Sequence, residues 1–149
     1  MARKDQPKIP RRGGVGETGL RYTRCMARQR PAPLRVLIVD DHPSFRASAR
    51  VVLESDGFSV VGEAADGASA LEECCRLRPQ VVLLDVQLPD IDGFDVCERI
   101  TSHLEHPTVI MTSSRDPADF GPLVTSSGAC GFVPKAELSG ERVQELLSP

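Results

Sequence analysis

At 149 residues, with 40% hydrophobic side chains and a formal net charge of -3, the chain has the size of one ordinary domain and enough apolar content to bury a core. No apolar run approaches the roughly 18 residues of a membrane-crossing helix, and the basic N-terminus lacks the apolar stretch of a secretory signal. Residues 1–33 carry nine Lys/Arg against Asp5 and Glu17, whereas 34–149 carry nine against nineteen acids; the folded part is acidic, which disfavours duplex DNA as its own ligand.

Residues 1–33 are rich in Arg, Gly and Pro without apolar periodicity, so a disordered basic leader is expected. GVGETG (14–19) matches G-x-G-x-x-G, but no strand precedes Gly14 and no βαβ unit surrounds it. Met26 opens a second Met-Ala-Arg and is an alternative start; a basic tail for nucleic acid or a partner is the other reading. Cys25, Cys74, Cys75, Cys97 and Cys130 include no C-x-x-C. They are read as small core or surface residues of a cytosolic protein, not as a zinc site or disulfide framework.

From Leu34 the pattern alternates steadily. LRVLIVDD (34–41) reads as a strand ending in two acids, and Pro43 suits the first turn of the helix that follows. That helix is expected to run to about Asp56, with Phe45, Ala49 and Val52 on one face and Gly57 as its cap. A second strand spans 58–64, a turn follows at Asp66-Gly67, and a helix over 68–77 buries Leu71 and Cys74 before Pro79. Val81 to Leu84 is a four-residue apolar run, the signature of a strand buried on both faces, and Asp85 closes it. Pro89 and Gly93 break the next stretch into a loop, and a helix over 93–104 turns Cys97, Ile100 and Leu104 inward. A fourth strand runs from Thr108 to Met111 and ends at Thr112-Ser113-Ser114. Residues 116–127 are poorly helical, with Gly121 and Pro122 in the middle, so any helix there is short or broken. A fifth strand (130–133) leads to Lys135 and a last helix over 137–147.

Five strand–helix pairs imply an α/β domain, a parallel sheet with helices on both faces. Asp40, Asp41, Asp85, Thr112 and Lys135 then all fall at the carboxyl ends of strands, the edge where open α/β sheets bind ligands. Three carboxylates in one pocket repel one another and need shifted pKa values or a bound cation. Oxygen ligands favour Mg2+. Two acids holding a metal leave one as a nucleophile able to form an aspartyl-phosphate, with Thr112 as a hydroxyl donor and Lys135 as a point charge for the phosphoryl group.

VLIVDDHP, VVLLDVQLPDIDGFDV, VIMTS and GFVPK, in that order, resemble the motifs of the response-regulator receiver domain of two-component signalling, over about 34–149. The resemblance implies a flavodoxin-like, doubly wound five-stranded sheet of order 2-1-3-4-5. It makes Asp85 the phosphoacceptor and also places it at the metal, Asp41 a direct Mg2+ ligand, and Asp40 a helper through water. The backbone carbonyl of Gln87 completes the metal set. Thr112 and Lys135 contact the phosphoryl group, Phe132 holds the aromatic switch position, and Gln87 and Ser114 tune the lifetime of the phosphate. The implied partners are a sensor histidine kinase or phosphotransfer protein and a downstream protein target, with a phosphorylation-dependent homodimer as a further form. A cytoplasmic location, no membrane insertion and no enzymatic turnover beyond self-phosphorylation and self-dephosphorylation are expected. Ala136 stands where many receivers have a proline after the lysine, often with a cis bond, a variant similar to receivers joined to helix-turn-helix output domains. No DNA-reading element follows within this sequence, so output through protein contacts is expected, and a receiver separated from a DNA-binding domain is the alternative.

An aspartyl-phosphate phosphatase would place a second Asp two residues after its nucleophile, where this chain has Gln87. DIDG (90–93) does not continue as an EF-hand, since Leu88 and Arg99 occupy the terminal ligand positions. Asp90 and Asp92 read as solvated loop residues, His103 and His106 as a surface pair, and His42 as a loop or helix-entry residue.

Overall fold

The computed structural model describes residues 31–103 and 105–148. The expectations for residues 1–30, including GVGETG, Cys25 and the start at Met26, and for the inward-facing Leu104, lie outside the described residues.

Residues 33–149 make one compact unit. Its strands are β1 (Arg35–Val39), β2 (Ser59–Ala64), β3 (Val81–Asp85), β4 (Thr108–Ser113) and β5 (Gly131–Pro134). They form a fully parallel sheet in the order β2-β1-β3-β4-β5, the expected flavodoxin-like arrangement. The helices are α1 (Pro43–Ser55), α2 (Gly67–Leu77), α3 (Gly93–Thr101), α4 (Leu123–Ser126) and α5 (Gly140–Leu147).

Successive strand residues face opposite sides of the sheet, and both sides are covered. Leu37, Val39, Val82, Leu84, Val109 and Met111 face a core completed by Ala70 of α2, by Phe94, Val96, Cys97 and Ile100 of α3, and by Phe120. Val36, Ile38, Val81, Leu83, Ile110 and Val133 face the other core, filled by Ala49 and Leu53 of α1 and Val143 of α5. The middles of the three central strands, Val36–Val39, Val81–Leu84 and Val109–Met111, are therefore apolar and buried on both faces, as their sequence runs demanded. Truncating a side chain such as Leu83 to Ala would cost about 2–5 kcal/mol.

Several expected boundaries shift. The inward face of α1 runs through Phe45, Ala49 and Leu53, because steps of four residues keep closest to the helix period; Val52 lies beside that line and is half-exposed. The third helix ends at Thr101 rather than 104, β5 begins at Gly131, and Lys135–Glu137 is a 3-10 turn ahead of α5. Asp90 and Asp92 are exposed loop residues, as expected, and they also act as caps. Asp90 accepts the Gly67 and Ala68 N–H groups at the start of α2, at 2.8 and 3.0 Å, and Asp92 accepts Phe94 N–H at 2.8 Å to start α3.

Segment 116–127 is broken as expected. A 3-10 turn at Pro117–Asp119 is followed by the four-residue α4. Between them Gly121 takes φ +54, a left-handed conformation that glycine adopts without the Cβ clash of other residues. Phe120, buried in the core, and the partly buried Val124 hold the segment to the sheet.

Candidate functional site

The carboxyl edge of the sheet collects the polar residues that an all-apolar strand cannot carry. Asp85 is the last residue of β3, paired in register with Thr112 of β4, and its side chain is 4% exposed. Asp40 follows β1 and extends its pairing, donating its N–H to Ala64 O at 3.0 Å; its side chain is fully buried. Arg46 of α1 fixes that turn by donating to the Asp40 carbonyl oxygen at 2.5 Å. Gly93 lets the loop after β3 fold back on itself. Its N–H donates to Val86 O at 2.8 Å, and a Cβ there would overlap the carbonyl oxygens of Asp85 and Val86.

Lys135 enters from the end of β5. Its Nζ stands 2.6 Å from Asp40 Oδ2 and 3.4 Å from Asp85 Oδ2, and 4.7 Å above the Phe45 ring, which braces the ammonium from the side of α1. Burial and the neighbouring Asp40 charge push the Asp85 carboxyl up to about 6, against the Gln87 N–H and Lys135, which oppose the rise. For Lys135, burial alone would favour the neutral amine. Its contact with Asp40 and the charges of Asp85 and Asp40 outweigh that and hold the ammonium above the ordinary lysine value.

Asp41 is partly exposed at the rim. Ligand atoms of Asp40, Asp41, His42 and Asp85 all lie within 4.8 Å of one another. Asp40 Oδ2 is buried and accepts no well-aligned hydrogen bond, although Lys135 is close. Three carboxylates gathered around the Lys135 ammonium leave an excess of negative charge that suits a hard divalent cation such as Mg2+, and Asp40, Asp41 and Asp85 are the residues that could hold it. Gln87 follows at the exposed loop, its N–H donating to Asp85 Oδ1 at 3.2 Å.

The remaining expected residues lie around this centre. Thr112 is fully buried, and its hydroxyl donates to Val133 O of β5 at 2.7 Å. Ser114 is exposed just beyond β4. Phe132 is half-buried, its ring 5.6 Å from that of Phe120, which in turn meets Phe94 edge-on at 5.6 Å. A continuous aromatic contact thus runs from β5 through the broken segment to α3. Lys135 and Ala136 are joined by a trans peptide; no cis peptide occurs among the described residues.

The sequence makes His42 a loop or helix-entry residue. It does precede α1, but its N–H donates to Asp40 Oδ1 at 2.8 Å, and its Nδ1 lies 3.1 Å from both Asp40 Oδ1 and Asp41 Oδ1. Its place next to Asp41 and before a helix-starting proline was the available signal, since that turn folds residue 42 back over the acids.

Residues 36–147 match the response regulator receiver domain family. The chain is 43% identical over 103 residues to a protein of Pseudomonas aeruginosa named as a transcriptional regulator, covering 69% of this chain and 50% of that protein. It is 38% identical over 124 residues to the Mycobacterium tuberculosis transcriptional regulatory protein NarL, covering 82% of this chain and 57% of NarL. The chain therefore spans about half the length of the curated relatives it matches. The solved signal receiver domain of the same NarL superposes with a TM-score of 0.71 at 33% identity, covering 80% of this chain and all of that one.

Proposed function

This chain belongs to the response-regulator receiver domain family, and on that premise we propose that it is a phosphorylation-dependent switch whose phosphoacceptor is Asp85. The observation that carries the reading is the position of this carboxylate, at the end of the central strand between the buried Asp40 and the Lys135 ammonium. The donor is a phosphohistidine of a sensor kinase or phosphotransfer protein. An Asp85 carboxylate oxygen attacks phosphorus, the phosphorus–nitrogen bond breaks, and the electron pair leaves with the imidazole, which regains a proton.

Asp85 reacts as the carboxylate, and Lys135 sits where it stabilises the negative charge of the incoming phosphoryl oxygens. Asp41, Asp85 and the Gln87 carbonyl, with Asp40 acting through water, would hold Mg2+, which would supply charge neutralisation for those oxygens. The Thr112 hydroxyl can turn from Val133 O to a phosphoryl oxygen, and Phe132 carries the resulting shift to Phe120 through their ring contact. Gln87 and Ser114 flank the phosphate and set how readily water reaches it.

The working unit is residues 34–149. It functions in the cytoplasm and signals by contact with a protein target or by pairing with a second copy. Among the described residues no helix is long and apolar enough to cross a membrane. The half-length match to proteins named as transcriptional regulators favours a second reading of the output, in which this receiver governs a DNA-binding domain. A phosphatase reading lacks the second acid, since Gln87 occupies its place.

Treatment with acetyl phosphate and Mg2+, followed by mass spectrometry and gel filtration, tests the reading. One phosphoryl group should be gained by the wild type and none by Asp85→Asn. Full labelling of that variant would remove Asp85 from the role.

A further inference from the structure

The phosphotransfer reading leaves one ligand-bearing side chain at the pocket without a task. His42 starts α1, yet its ring makes no capping bond and is 64% exposed, so neither helix initiation nor packing requires an imidazole there. The backbone is already tied by His42 N–H to Asp40 Oδ1. What the ring does instead is place Nδ1 3.1 Å from Asp40 Oδ1 and 3.1 Å from Asp41 Oδ1.

That spacing has a meaning in coordination chemistry. Two adjacent ligand atoms on one six-coordinate ion, with bonds of about 2.1 Å, are about 3.0 Å apart. His42 Nδ1 stands at this separation from both carboxylates at once. Independently, three carboxylates gather here around the Lys135 ammonium, which stands 2.6 Å from Asp40 Oδ2 and 3.4 Å from Asp85 Oδ2, so the acids of the pocket carry more negative charge than that ammonium neutralises. Without an ion, Nδ1–H donates to Asp40 Oδ1; with an ion bound, the imidazole proton would sit on Nε2 at the exposed side of the ring and Nδ1 would offer its lone pair.

We propose that His42 is a metal ligand that sets the preference of this pocket, so that it takes a nitrogen-accepting first-row ion such as Mn2+, Co2+ or Ni2+ more tightly than an all-oxygen receiver pocket would, relative to Mg2+. The proposal rests on the reading of the pocket as a divalent-cation site. Carboxylate and water ligands alone suit Mg2+ and Mn2+, whereas an imidazole adds affinity for Co2+ and Ni2+ and little for Mg2+. His42 thereby changes which ion occupies the site, while the acids decide whether any ion binds.

The test uses the full chain loaded with Mn2+ and electron spin echo envelope modulation, which detects a directly bound nitrogen. Calorimetric titrations with Ni2+ and Mg2+ accompany it, counting only the Ni2+ that saturating Mg2+ displaces. That restriction sets aside Ni2+ held elsewhere, for example at the exposed His103 and His106. Wild type should show imidazole nitrogen coupling that disappears in His42→Gln, with Ni2+ affinity falling about tenfold or more and Mg2+ affinity changing less than about threefold. The nitrogen measurement on wild type stands whether or not the variant folds. Mn2+ that Mg2+ displaces but that carries no nitrogen coupling, or equal losses for both ions in His42→Gln, would overturn the role of His42 and leave the carboxylate site intact. Absence of any Mn2+ that Mg2+ displaces would overturn the cation site itself, and the proposal with it.

Discussion

The hydroxyl of Thr112 donates to the carbonyl oxygen of Val133 across 2.7 Å, with both residues fully buried. This is a side-chain bond laid over a strand pair already joined in register, Thr112 opposite Val133. It ties the residue beside Asp85 to the strand that carries Phe132 and leads to Lys135. Thr112→Val keeps the shape and removes the donor, leaving Val133 O with one partner fewer, at a cost of about 1–3 kcal/mol. Urea unfolding should show that loss for Thr112→Val and a much smaller one for Thr112→Ser. If the hydroxyl also reports the phosphoryl group, Thr112→Val should still be phosphorylated while chemical shifts across β5 respond less than in the wild type.

Asp85 gives stability a pH dependence with a definite sign. Its folded pKa, about 6, lies above the ordinary value of 3.8. The folded state therefore binds more protons than the unfolded state between these values, and stability falls as pH rises through that window in metal-free protein. Asp85→Asn removes the buried charge. It should be more stable than wild type by about 1–2 kcal/mol at pH 7, allowing for solvent screening, and should gain nothing near pH 4. Denaturant midpoints at the two pH values measure it; an equal gain at both would rule out charge as the cause.

Mg2+ should reverse that penalty. A cation that binds only the folded pocket raises stability in step with its concentration. Wild type should gain in melting temperature on adding Mg2+, and Asp41→Ala should gain far less. Lys135→Ala should still bind the ion, since it keeps all three carboxylates, but should respond poorly to phosphorylation. An Asp41→Ala curve that follows wild type would place the cation elsewhere.

Segment 116–127 should open more readily than the rest of the fold. Gly121 and Pro122 interrupt it, where an interior Gly costs about 1 kcal/mol and an interior Pro about 3 kcal/mol relative to Ala. The helix that remains is four residues long, and Leu123 at its start is largely exposed. Amide hydrogen exchange should be much faster across 118–127 than across α3, and phosphorylation should slow it if the modification orders this surface. Equal protection of the two segments in the unmodified protein would count against this.

Truncating the aromatic contact offers a separate handle. Phe120→Leu keeps apolar volume but removes the ring that touches both Phe94 and Phe132. It should cost about 1–2 kcal/mol and loosen 116–127 further, which the same exchange measurement would register as faster opening confined to that segment.

The order of the elements was written along the chain, because apolar runs buried on both faces and amphipathic helices each carry a local period. The same runs announced the pocket: Asp40, Asp85 and Thr112 are the first polar residues after apolar stretches, and a parallel sheet brings such positions to one edge. The break at Gly121-Pro122 was equally local, set by one residue that permits left-handed backbone and one that lacks an N–H. Other features came only from the folded chain, because they join residues far apart whose separation depends on sheet register and helix placement. Asp90 caps α2 from 23 residues away, Asp56 accepts Gly140 N–H at the start of α5 from 84 residues away, and Thr112 finds Val133 across a strand pair. His42 is the exception in distance but not in kind. It is adjacent to Asp41 in sequence, yet its ring could have faced water alone; the turn between β1 and α1, pinned by Arg46 on the Asp40 carbonyl, is what brings Nδ1 over both acids.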